Sequence, residues 1–190
     1  MTGLIFLSVL GLITLLSAAF NLRKLLLPVT LLGLTAALVI NLCGWNDAPD
    51  LMGDGLEEYN NGMRLVDNYA IAFTCLMLFL SLLHFFLSSL HVKNDEAHAG
   101  EFFSILLFTL AGAQVMVSYS NLVMLFIGIE ILSISLYVMA GSFKNVLKSN
   151  EAALKYFLMG SFASGFLLLG IAMIYGAAGT FALSGIAGYV

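Results

Sequence analysis

The sequence predicts an all-α fold, a polytopic bundle of membrane-spanning helices, and three observations predict it. Hydrophobic residues make up 61% of the 190-residue chain and charged residues 9%, whereas soluble domains run at roughly 45–50% apolar and about 25% charged. The apolar residues gather into six runs near the ~20-residue length that a ~30 Å hydrocarbon core demands. No stretch alternates apolar and polar with the period of two that a half-buried strand needs. Mean hydropathy is +1.03.

Taken in order, the runs predict spans over about 3–20, 25–43, 69–90, 102–118, 121–140 and 152–176. The first turn is Asn21 to Lys24. Pro28 falls in the first turn or so of the second span, where a missing N–H costs little. Residues 44–67 hold Trp45, Pro49 and several Gly, Asn and Asp residues and predict a surface loop. A second polar link, His91 to Gly100, joins the third and fourth spans. Its Asp95, Glu96, His91 and His98 match no metal-ligand spacing. The fourth and fifth spans are joined by Tyr119, Ser120 and Asn121 alone, so they form an antiparallel pair. Gly141 to Asn150 joins the fifth and sixth. Ala177 to Val190 is rich in Gly and Ala and too short for another span. The chain thus divides into four helices over 1–120, the fifth and sixth over 121–180, and the start of a further segment over 181–190.

Lys and Arg counts near the span ends give the orientation. Arg23, Lys24, Lys93, Lys144 and Lys148 sit in the first, third and fifth links, and only Arg64 in the second and fourth. The odd links are therefore expected in the cytoplasm and both termini outside. No basic residue precedes the apolar core of Met1 to Phe20, which predicts a retained first helix rather than a cleaved signal. Net charge is −4, with acids concentrated at Asp47, Asp50, Asp54, Glu57, Glu58 and Asp67. No basic patch interleaved with aromatics exists, so nucleic acid is excluded as a partner. Cys43 and Cys75 lie in or beside apolar runs and read as small core hydrophobes.

Glu130 stands in the middle of the fifth run, about ten residues from either end, roughly 15 Å deep at 1.5 Å per residue. A charged group there costs about 2.5–3.5 kcal/mol on insertion scales, so an ionisable residue inside a span points to an ion or proton path. Ser133 and Tyr137 follow at i+3 and i+7 on the same face, while Gly128 and Ser135 put small groups on the other. Lys155 lies about one turn inside the sixth run, roughly 7 Å below the surface, with an axial gap to Glu130 of order 7 Å. It reads either as a lysine snorkelling to the interface or as a relay partner. His84, near Thr74, Ser81 and Ser88 on the third span, reads as a satisfied bundle histidine or a proton carrier. Gln114 predicts a helix–helix hydrogen bond, and Ser161, Gly165, Ala172 and Gly176 a packing face.

Residues 128–141, GIEILSISLYVMAG, resemble the fifth helix of the antiporter-like subunits of respiratory complex I. Residues 149–170, SNEAALKYFLMGSFASGFLLLG, continuing to YGAAGT at 175–180, resemble the sixth helix, in particular that of the subunit N group. The match is specific over about 121–180 and elsewhere lies in the pattern of spans. The resemblance implies a bacterial plasma (inner) membrane, multi-pass subunit of NADH:quinone oxidoreductase that takes part in proton translocation. Its partners would be other membrane subunits of complex I, the lipid bilayer and protons. NADH, FMN, iron–sulfur clusters and quinone would belong to the wider complex, with no cofactor bound by this chain. In the family the glutamate at the position of Glu130 pairs with a lysine on a later, broken helix, and Lys155 matches the sixth-helix lysine. Members are longer and built from inverted repeats, so the resemblance covers their N-terminal portion. A subunit of a multisubunit Na+/H+ antiporter and a non-catalytic membrane scaffold are the alternatives.

Overall fold

The computed structural model describes residues 2–20, 23–43, 63–91 and 96–189. Most of the expected 44–67 loop (residues 44–62) and residues 92–95 of the third link lie outside them. Among the described residues seven helices follow one another: α1 (Thr2–Ala19), α2 (Arg23–Cys43), α3 (Asn68–His91), α4 (Glu96–Val117), α5 (Leu122–Ala140), α6 (Leu147–Ala178) and α7 (Leu183–Tyr189). Five of them, α2 to α6, are long and apolar enough to cross a membrane, and α1 adds a shorter apolar helix. The chain is therefore a multi-pass, all-helical membrane protein. Among the described residues the only pairing of extended backbone is in two isolated bridges.

The first four helices close on one another, α2 between α1 and α3 and α4 against α1 and α3, and α5 lies on α4 and α6 on α5. The core sits in the first four, where Leu7, Leu10, Leu34, Ala37, Leu78, Phe85, Phe103 and Leu107 form one buried cluster. Gly33 lets Leu10 lie directly on the α2 backbone. The buried hydroxyls of Thr14 and Thr30 donate to the carbonyls of Gly11 and Leu27, each at 2.9 Å, so that neither enters the core unpaired.

The helix ends follow from local chemistry. Asp67 Oδ1 accepts from Ala70 N at 2.8 Å ahead of α3. Asn121 Oδ1 accepts from Val123 N at 2.9 Å and caps α5. Gly179, at φ 69°, ends α6 in the left-handed conformation that favours glycine. Three boundaries differ from expectation. α4 begins at Glu96, ahead of the expected 102 and inside the stretch expected as a polar link, since Glu and Ala there are good helix formers. α2 begins at Arg23, which makes Pro28 its sixth residue, past the first turn and without the N–H that would reach the Lys24 carbonyl. α6 begins at Leu147 and runs for 32 residues, because nothing in Leu147 to Glu151 breaks a helix.

At one end of the bundle the short α4–α5 link is stitched on both sides. Leu65 N donates to Ser118 O and Ser120 N to Met63 O on one edge. Leu122 N donates to Phe181 O and Leu183 N to Ser120 O on the other. The 63–65 and 181–183 segments thus hold the link between them, an arrangement that local sequence patterns did not predict.

Candidate ionisable site in α5

Glu130 is the ninth residue of α5 and the carboxylate nearest its middle. α5 meets α4 backbone to backbone. A Cβ on Gly128 would stand 2.8 Å from Met116 N, and one on Gly112 2.8 Å from Leu132 N. Gly128 and Ser135 are the buried residues of α5, so its small-residue face is the one against α4. Two residues on from Gly128, Glu130 turns to the other side of the helix. It is half-buried, and its Oε1 is sealed from solvent without a hydrogen-bond partner among the described residues. Such a buried acceptor costs about 1–3 kcal/mol.

Ser133 and Tyr137 continue that face, both half-buried. Ser135, on the α4 side, donates its hydroxyl to Ile131 O at 2.8 Å. Tyr137 bridges to α6. Its ring meets Tyr156 and Phe157 edge-on, with centroids 5.0 and 5.8 Å away. Its hydroxyl lies over Gly160, on the spot a Cβ would occupy.

These contacts set the register of α5 on α6. Gly141 stands against Ala153, and Tyr137 against Tyr156 and Gly160. Antiparallel counting then puts Glu130 level with about Ser164, on the order of 13 Å along the axis from Lys155. That is about twice the separation expected from the sequence, because α6 starts at Leu147 and its first two turns project past the end of α5, leaving Lys155 level with about Met139. Lys155 pairs instead with Glu151, one turn back on α6. Both side chains are exposed, at 71% and 56%. An exposed pair of this kind is worth about 0.3–0.5 kcal/mol.

His84 is exposed on α3, its ring edge-on to Phe85 at 6.2 Å, and α3 packs on α2 and α4. The structure therefore brings neither Lys155 nor His84 to Glu130. Thr74, predicted on the His84 face, is buried. Gly165 and Gly176 of the expected α6 packing face have no atoms within 4 Å of a would-be Cβ. Among the described residues no three His, Cys, Asp or Glu side chains converge to hold a metal.

A second polar group lies at the stitched end. Gln114 is 6% exposed, its Nε2 beside Gly3 and its Oε1 without a partner among the described residues. One turn on, Ser118 donates to Gln114 O at 2.8 Å and accepts from Arg64. Burial pushes the Arg64 guanidinium below its ordinary value. Arg64 entered the sequence reading only as one charge in the orientation count. The signal was there: it is the only Lys or Arg between Lys24 and Lys93.

Comparison with known proteins agrees with this architecture. Residues 119–190 match the family described as NADH:quinone oxidoreductase/Mrp antiporter, TM. NADH-quinone oxidoreductase subunit N of Flavobacterium psychrophilum is 44% identical over 97% of this chain and 39% of the relative. The subunit N of Trichlorobacter lovleyi is 37% identical over 98% of this chain and 37% of its own length. Respiratory complex I from Thermus thermophilus contains a chain of the same fold, with a TM-score of 0.72 and 29% identity over 95% of this chain and 38% of that one. The membrane-bound sulfane sulfur reductase, an archaeal respiratory membrane complex, shares the fold at a TM-score of 0.74 and 21% identity. The chain spans about two fifths of the length of the curated relatives it matches. In sequence along nearly all of its length this chain is similar to NADH-quinone oxidoreductase subunit N, and in fold to a chain of respiratory complex I.

Proposed function

We propose that the chain forms part of a membrane subunit of an NADH:quinone oxidoreductase and takes part in proton translocation, with Glu130 as the ionisable gate. The observation that carries the reading is a carboxylate at the centre of an apolar helix with one oxygen sealed and unpartnered. Such a group gains or loses a proton at an energetic cost that neighbouring charges can tune. Redox chemistry belongs to other subunits, which hold NADH, FMN, iron–sulfur clusters and quinone. The chain crosses the bacterial inner membrane six times, α1 included, with both termini outside. Lys155 and His84 enter as further relay members at surface positions of α6 and α3, open to neighbouring helices of a longer protein.

The test is quinone-linked proton pumping by the assembled complex carrying Glu130→Gln. Loss of pumping with intact assembly supports the gate, and unchanged rate and stoichiometry overturn it. The family description also names Mrp antiporters, and that reading predicts Na+/H+ exchange without any dehydrogenase partner.

A further inference from the structure

We infer that Glu130, Ser133 and Tyr137 form one proton-conducting row along α5, and that it ends at Tyr137, seated on Gly160, beside the exposed α5–α6 turn. The inference rests on the gate assigned to Glu130 and adds its route.

Three observations carry it. The residues fall at i, i+3 and i+7, which places them on one face of the helix. Among the described residues their polar groups are uncommitted: Glu130 Oε1 is unpartnered, and neither Ser133 nor Tyr137 spends its hydroxyl on the helix backbone, whereas Ser135 on the opposite face donates to Ile131 O. A serine in an apolar helix ordinarily closes such a backbone bond, so free hydroxyls on this face alone are available to water or to a proton. The third observation is the seat. Tyr156 and Phe157 hold the Tyr137 ring edge-on, and only the missing Cβ of Gly160 lets its hydroxyl lie there. Tyr137 is three residues from the end of α5, and Phe143 to Lys148 beyond it are all exposed.

The step is balanced. Each hydroxyl accepts a proton on an oxygen lone pair and releases its own on the other side, so it ends unchanged, and the only net event is loss or gain of one proton at Glu130. Water fills the gaps between the three groups, since a rise of about 10 Å separates Glu130 from Tyr137. Lys155, held by Glu151, stands outside the row.

The experiment uses the full-length subunit in its complex, in sealed membrane vesicles. Ser133→Ala and Tyr137→Phe each remove one oxygen and keep the packing, and Glu130→Gln is run beside them. Electron transfer to an artificial acceptor measures assembled complex. The expected result is a several-fold slower proton translocation per assembled complex in both hydroxyl variants, with an altered solvent deuterium isotope effect. If Glu130→Gln abolishes pumping while both hydroxyl variants pump at the native rate with an unaltered isotope effect, the row is overturned and the gate stands. If Glu130→Gln itself pumps normally, gate and row fall together.

Discussion

Arg64 donates from Nε and Nη2 to the hydroxyl of Ser118, at 2.8 and 2.6 Å, across 54 residues of sequence. The segment ahead of α3 is thereby tied to the end of α4 by a charged donor on a neutral acceptor. Ser118 is 3% exposed, so removing its oxygen leaves the guanidinium facing apolar surface. Ser118→Ala is expected to destabilise the protein by about 1.5–3 kcal/mol, the range for hydrogen bonds to charged groups. Ser118→Thr keeps the oxygen and is expected to retain most of the stability. Thermal unfolding of the detergent-purified protein measures both, and equal midpoints for Ser118→Ala and the native chain refute the latch.

The Gly112–Gly128 crossing predicts a sharper contrast. Adding a methyl at either position sets it 2.8 Å from a backbone nitrogen of the facing helix, which cannot swing aside as a side chain can. Gly112→Ala and Gly128→Ala are expected to cost about 1–3 kcal/mol through overpacking. Gly165→Ala meets nothing within 4 Å and is expected to be neutral or stabilising, as alanine is the better helix former. Membrane abundance and unfolding temperature of the three variants distinguish these outcomes.

Gly160 separates packing from function. Gly160→Ala raises helix propensity by up to about 1 kcal/mol yet occupies the seat of the Tyr137 hydroxyl. Abundance is expected to hold while proton translocation slows as in Tyr137→Phe. A variant that pumps normally would show that the seat has no part in transport.

The two ends of the bundle are expected on opposite sides of the membrane. Leu65 lies at the stitched end and Val146 in the exposed α5–α6 turn. With Cys43 and Cys75 replaced by serine, a cysteine at Val146 is expected to react with an impermeant maleimide from the cytoplasmic side, and one at Leu65 from the other side. Reversed labelling inverts the orientation read from the basic residues.

The all-helical class and the places of the long apolar helices were legible because a lipid-facing helix must be apolar along its whole length, and a change in composition marks its ends. The Gly128–Ser135 face was legible for the same kind of reason, since small residues at that spacing allow close approach. What escaped were relations between distant segments. The stitching of 119–121 by 63–65 and 181–183 is made by backbone groups, which carry no residue signature. The pairing of Lys155 with Glu151 satisfies the i,i+4 rule and was available from spacing, but the register that distances Lys155 from Glu130 depends on how far α6 extends. That extension into Leu147 to Asn150 crosses polar residues that read equally well as loop. The exposure of His84 depends on how α3 is rotated against α2, which wheel positions alone leave open.

At 32 residues, α6 rises about 48 Å, well beyond a hydrocarbon slab of ~30 Å. Seating the surplus at the Leu147 end keeps Lys148, Glu151 and Lys155 in water and spares the insertion cost of about 2.5–3.5 kcal/mol for each basic side chain. The projecting turns then act as a mast whose charges feel dissolved electrolyte, screened within ~10 Å at 0.1 M ionic strength, while the acid of α5 stays immersed below and blind to added salt.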